Sequence, residues 1–215
     1  MKNMIITWLG QSCFKIDIKS QNEEVTIITD PFDPAVVGLK LPRTLTADIV
    51  LKSDPEVKYP IEGREGKKPF VIETPGEYEV RGVFVYAIPF SNQNSPPEFV
   101  FWIEAEGIVI LHTGSLTRVL SETELQAIEG VDLLMVPVGG GTALDAKKAA
   151  ELASELEARV VMPMLYKVEG LKLKAEGVEP FLKIVGAKSE QMPKFKVTRK
   201  DLPADEMKVV VLEKA

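Results

Sequence analysis

The sequence predicts an α/β protein in which two β-sheets are covered by helices, and three observations predict it. The first half is written in short apolar runs rich in β-branched and aromatic residues. The second half switches to strands alternating with helices. The composition, 45% apolar and 27% charged over 215 residues, is that of an ordinary globular chain with one substantial core. Strands first, then strands alternating with helices, is the order that places helices on the outside of sheets.

In chain order, the apolar runs place strands at Met4–Leu9, Cys13–Ile18 and Val25–Thr29, with 19–24 as a polar hairpin loop. Short loops between sequential strands imply antiparallel pairing. Further strands are expected at Ile49–Lys52, Phe70–Glu73, Val83–Ile88, Phe99–Glu104 and Ile108–Leu111, with a loop over Tyr59–Pro69. Ser121 and Glu124 have the spacing of a capping box and open a short helix that Gly130 closes. Asp132–Val138 reads as a buried strand, and Ala149, Leu152, Ala153 and Leu156 recur at helical spacing. A strand at Arg159–Met164, a short helix at Val178–Val185, and strands at Phe195–Thr198 and Met207–Leu212 complete the chain, which is read as a single domain over 1–215.

Composition excludes several function classes. A net charge of −6 opposes non-specific nucleic-acid binding, which needs a dense field of Lys and Arg. Cys13 is the sole cysteine, so no intrachain disulfide can form, and a lone thiol fits a reducing, cytoplasmic setting. No apolar run reaches the roughly 18 residues of a membrane span, so no membrane is expected.

One histidine, His112, cannot build a two-histidine metal site, and its place at the end of an apolar strand reads as a structural imidazole. Cys13 reads as a small core residue. Gly139, Gly140 and Gly141 sit between a strand and a helix, the context of an anion-cradling turn, but without the Lys-Ser/Thr of a P-loop they read as a tight turn. Asp30, Asp54 and Glu56 lie just beyond two strands. Such acids either form a hard-cation site for Mn²⁺ or Mg²⁺ or are solvated loop residues.

The segments Trp8-Leu9-Gly10-Gln11-Ser12-Cys13-Phe14 and Thr29-Asp30-Pro31-Phe32, followed by Ala47–Leu51, Pro75–Val80, His112-Thr113-Gly114, Val136–Gly141 and Val161–Tyr166, run in an order that resembles the metallo-β-lactamase superfamily. The resemblance is to its small branch of Zn-dependent hydrolases related to ascorbate-6-phosphate lactonase. It implies a four-layer αββα sandwich. It also implies a metal held by an HxHxDH motif, aligned here with Asp54-Pro55-Glu56-Val57-Lys58-Tyr59. The family's opening histidine aligns with Gln11, its bridging aspartate with Ser115, and its later histidine with Leu165.

On that alignment the ligand motif is degenerate, with Lys58 opposed to a bound dication and Leu165 offering no lone pair. The expectation is a non-catalytic protein without a cofactor. Its vestigial pocket would comprise Gln11, Asp30, Asp54, Glu56, Lys58, Tyr59, Ser115 and Leu165, serving a protein partner or a small anionic ligand that Lys58 and Ser115 would attract. The alternative is a metal-dependent hydrolase of ester, lactone or phosphodiester bonds with Mn or Mg on Asp30, Asp54 and Glu56.

Overall fold

The computed structural model describes residues 3–19, 23–54, 59–90 and 98–215. The first part holds β1 (Asn3–Gly10), β2 (Cys13–Lys19), β3 (Glu24–Thr29), α1 (Pro34–Val37), β4 (Thr46–Ala47), β5 (Ile49–Leu51), β6 (Glu62–Gly63) and β7 (Phe70–Ile72). There follow β8 (Gly76–Val80), β9 (Val83–Phe90), β10 (Glu98–Ala105), β11 (Ile108–His112), α2 (Glu122–Gln126), β12 (Leu133–Pro137) and α3 (Ala146–Glu155). The chain closes with β13 (Val160–Met164), α4 (Glu179–Val185), β14 (Lys188–Met192), β15 (Phe195–Val197) and β16 (Lys208–Leu212).

Two large mixed sheets result. One runs β15-β1-β2-β3-β5-β7 and the other β14-β16-β13-β12-β11-β10-β9-β8. The β1-β2-β3 meander is antiparallel, whereas β3, β5 and β7 pair in parallel, so the carboxyl ends of β3 and β5 share one edge. In the second sheet β11, β12, β13 and β16 are parallel, which brings the ends of β11 and β13 to one edge as well.

The period-2 alternation of the strands explains how these sheets stack. Met4, Ile6 and Trp8 of β1, Phe14 and Ile16 of β2, and Ile27 of β3 face the main core with Val85, Phe101, Ile103, Ile110 and Leu133 of the second sheet. The intervening Leu9, Cys13 and Ile28 turn to the opposite face. There Phe32, Val37, Leu39 and Leu171 cover them as a satellite core. Full burial of each such aliphatic or aromatic side chain contributes about 1.5–3 kcal/mol, so both faces of the first sheet hold the fold together.

The helices begin where their caps dictate. Ser121 accepts from the Glu124 amide while the Glu124 carboxylate reaches back to the Ser121 amide, closing the capping box that the spacing predicts. Asp145 caps α3 from four residues before Ala149, the first residue of the apolar repeat read in the sequence. Four strands escape the sequence pattern, the two-residue β4 and β6 and the longer β8 and β14. β8 and β14 are sheet edges whose residues are largely exposed, so neither carries the apolar alternation that marks a strand. The Tyr59–Pro69 loop also contains β6, which pairs with β4. No helix among the described residues is long and apolar enough to cross a membrane.

Candidate functional site

Several strand ends converge on one cavity of about 180 Å³. Gln11 and Ser12 come from the β1–β2 turn, Asp30 from the end of β3, and Ser53 and Asp54 from just beyond β5. Ser115 follows β11 and Leu165 follows β13. Strand ends at a shared sheet edge are where side chains from distant parts of the sequence can meet.

The backbone at this edge is strained. Seven non-glycine residues among those described have positive φ, and three of them line this cavity: Gln11 (53°), Asp30 (38°) and Leu165 (55°). Each left-handed non-glycine residue costs on the order of 1 kcal/mol and persists only where its surroundings over-determine it. Those surroundings can be named. Trp8 donates its indole N–H to the Gln11 carbonyl at 2.7 Å and stacks on Tyr166, next to Leu165, with ring centroids 4.9 Å apart. Asp30 donates its amide to the Leu51 carbonyl at 2.8 Å.

Asp30 is further fixed through its side chain. Its Oδ1 accepts from the Ser53 amide at 2.6 Å and its Oδ2 from the Ser53 hydroxyl at 2.7 Å. Ser53 fits only because Gly114, at φ 54°, lacks a side chain; a Cβ there would lie 2.4 Å from the Ser53 Oγ. Lys52, also in the cavity wall, is paired with Glu73 at 2.8 Å.

His112 is fully buried. Its Nε2 lies 2.8 Å from the Ser12 carbonyl, which can only accept, while its Nδ1 accepts from the Gly114 amide at 3.3 Å. The proton therefore resides on Nε2, and the ring holds together the turns that carry Ser12 and Gly114. Its Nε2 is 3.9 Å from Asp30 Oδ2. Cys13 is buried in the satellite core, where desolvation and then the charge of Asp30 push its thiol up, so it is a poor source of thiolate. Gly139 is likewise committed to packing, since a Cβ there would lie 2.2 Å from the Leu165 carbonyl.

Of the residues singled out in the sequence, the fold thus gathers Gln11, Asp30, Asp54, Ser115 and Leu165 around one cavity. Tyr59, also expected in the pocket, is not among the residues that line it. Glu56 and Lys58 lie outside the described residues. Sequence reasoning missed Ser12, Lys52 and Ser53. The one signal for Ser53 was a hydroxyl immediately after an apolar strand.

Against known proteins, a model described as the beta-lactamase superfamily domain matches residues 5–165. The chain belongs to the beta-lactamase superfamily. Two relatives named UPF0173 metal-dependent hydrolase, from Thermococcus onnurineus and Pyrococcus abyssi, are 32% and 30% identical over 123 residues. That stretch is 54% of this chain, and 54% and 53% of theirs, so the chain spans about half the length of the curated relatives it matches. A crystal structure from Thermotoga maritima, described as a Zn-dependent hydrolase of the metallo-beta-lactamase superfamily, aligns with a TM-score of 0.80 and 34% identity over 98% of each chain. The sheet pair described above is therefore the metallo-β-lactamase fold. These matches overturn the expectation of a cofactor-free protein, because the relatives of this superfamily chain are named for their dependence on a metal.

Proposed function

We propose that this chain is a metal-dependent hydrolase of ester, lactone or phosphodiester bonds, with a hard cation, Mn or Mg, held on carboxylate oxygens at the strand-end cavity. The observation that carries the reading is the convergence of Asp30 and Asp54, from the ends of two adjacent parallel strands, on one cavity wall. The naming of the relatives as metal-dependent hydrolases supports it.

Zinc's usual imidazole and thiolate donors do not fit: His112 commits Nε2 to Ser12, and Cys13 sits in the satellite core with a raised thiol pKa. The oxygens of Asp30, Asp54 and the nearby hydroxyls are the donor type that a hard cation takes. When bound, such an ion polarises the scissile carbonyl or phosphoryl oxygen and makes a water more acidic. The chain's own part is positional. Ser53 holds Asp30 in one orientation, His112 and Thr29 fix the Ser12 carbonyl, and Ser115 offers a hydroxyl to the bound molecule.

A second reading, a non-catalytic binding protein, is favoured by a specific observation. Among the described residues no three His, Cys, Asp or Glu side chains come together, and both oxygens of Asp30 are already engaged by Ser53. Calorimetric titration with Mn²⁺ separates the two. Saturable binding that weakens at least tenfold in Asp54→Asn, together with Mn-dependent hydrolysis of an ester, lactone or phosphodiester panel, upholds the hydrolase. Binding unchanged by the substitution, or absent, removes the carboxylate site and leaves the binding protein.

A further inference from the structure

The two sheets end together on one side of the molecule. β7 closes the first sheet, β8 closes the second, and the short link 73–75 joins them. Phe70 of β7 and Tyr78 of β8 meet there with ring centroids 6.0 Å apart. Among the described residues no strand pairs with the outer side of β8, so half of its backbone N–H and C=O groups face away from the sheet, the arrangement that invites a further strand. None of these residues lines the strand-end cavity.

The side chains of β8 alternate between two surfaces. Tyr78 and Val80 oppose Val85 and Val83 and point towards the core, yet both stay partly exposed where Val85 is fully buried, because no strand covers them. Phe70, 46% exposed, flanks them. Glu77 and Glu79 take the outer face. There Glu77, Tyr86 and Trp102 form one cross-strand row and Glu79, Phe84 and Glu104 the next. Tyr86 and Phe84 are 38% and 43% exposed, and the Tyr86 and Trp102 rings meet edge-on at 5.2 Å. Aromatic area of this kind, left to water beside an open strand, is what interfaces bury.

Charge selects the occupant. Among the described residues Glu77, Glu79 and Glu104 form no ion pair, and Arg81, just past the end of β8, is turned to Asp48 and Glu23. A second copy of β8 added outer face with outer face would set glutamate against glutamate, which destabilises the pairing. A strand with Arg or Lys at alternate positions would instead set cations beside Glu77 and Glu79, within reach of the Tyr86 and Phe84 rings, whose faces attract them. Its intervening side chains would fall beside Tyr78, Val80 and Phe70, which calls for apolar residues. We propose that β8 is a docking edge for an extended segment of a partner protein in which basic and apolar residues alternate, added to the sheet as a further strand. The net charge of −6 assists the approach of such a segment.

The test titrates the full chain into fluorescent peptides of equal length and follows their anisotropy. A peptide alternating arginine and valine should bind saturably and at least tenfold more tightly than one of the same composition with its arginines in a single block. A peptide alternating glutamate and valine should not bind. Amide hydrogen exchange in the unsubstituted chain should slow at residues 76–80 when the arginine-valine peptide is added. Glu77→Lys combined with Glu79→Lys, both at exposed positions, should weaken binding at least tenfold, and Tyr86→Ala about threefold through loss of a ring for the guanidinium. Equal binding of the block peptide reduces the face to plain charge attraction and overturns the proposal. Unchanged exchange at 76–80, or undiminished binding in the double variant, overturns it as well. Residues 76–80 already protected without peptide, in a chain that light scattering shows to be dimeric, give the edge to a second copy and also overturn it. The exchange measurement needs no substitution, so it decides the matter even where the double variant fails to fold.

Discussion

Ser53 gives both its backbone N–H and its hydroxyl to the carboxylate of Asp30, at 2.6 and 2.7 Å, and so fixes an acid in a left-handed turn that the chain would otherwise avoid. Ser53→Ala removes the hydroxyl and leaves Asp30 Oδ2 short of a donor. The expected cost is about 1–3 kcal/mol, the range for a buried charge-assisted hydrogen bond. Urea unfolding of Ser53→Ala, Asp30→Asn and the double variant checks it. The double variant should cost less than the sum of the singles, because the pair acts as a unit.

Gly114 supports that pair from the other sheet. Gly114→Ala places a Cβ 2.4 Å from the Ser53 Oγ at a φ of 54°, whereas Gly82→Ala and Gly107→Ala, also at positive φ, meet nothing within 4 Å. The latter two should lose about 1 kcal/mol from the left-handed penalty, and Gly114→Ala clearly more. Thermal unfolding of the three variants side by side separates steric from backbone cost.

Asp48 ties the two sheets together at the opposite edge. Its carboxylate takes Arg81, from the β8–β9 turn, at 2.6 Å, Arg64 at 3.1 Å and the Thr26 amide at 2.9 Å, and only 10% of its side chain is exposed. Asp48→Ala leaves the Thr26 amide without its acceptor and takes one from each guanidinium, Arg64 keeping Glu24 and Arg81 keeping Glu23, so a loss of about 1–3 kcal/mol is expected. Removing Arg81 should cost less, because that side chain can turn to solvent. Denaturant titration of each variant decides the order.

The cap of α2 gives the protein an acid-sensitive contact. Arg118 grips Glu124 with two hydrogen bonds, at 2.7 and 2.8 Å, and with the Ser121 contacts this holds the Glu124 carboxyl down to about 2. The unfolded chain takes up that proton near the ordinary glutamate value, so the stabilisation is fully present above about pH 4.5 and lost as pH falls towards 2. With solvent screening it amounts to about 1–2 kcal/mol. Stability measured from pH 6 to 2 should fall less steeply in Glu124→Gln than in the unsubstituted chain.

Much of this architecture was legible in the residues. The alternation in β1, β2 and β3 fixed which side chains meet the second sheet, and Ser121 with Glu124 announced a helix start, because these features depend on neighbours a few positions away. The edge strands β8 and β14 were not legible as strands, since a strand that buries little carries no hydrophobic period. The segment order also sufficed to suggest the superfamily, and with it Gln11, Asp30, Asp54, Ser115 and Leu165 as residues of one site.

What only the tertiary structure decided is how those residues are spent. The sequence presents Asp30 as a candidate ligand, and the fold shows its carboxylate already oriented by Ser53 across 23 positions. It presents His112 as a structural imidazole, and the fold supplies the partner, a carbonyl 100 residues away. It gives Gln11 only as a replacement for a histidine, while the fold leaves its amide buried and unanswered. The division has a physical cause. Local pattern determines which face a side chain takes, because backbone periodicity is set by near neighbours. Hydrogen bonds and unfilled donors at a strand-end cavity depend on distant segments converging, which the chain settles only by packing both sheets together.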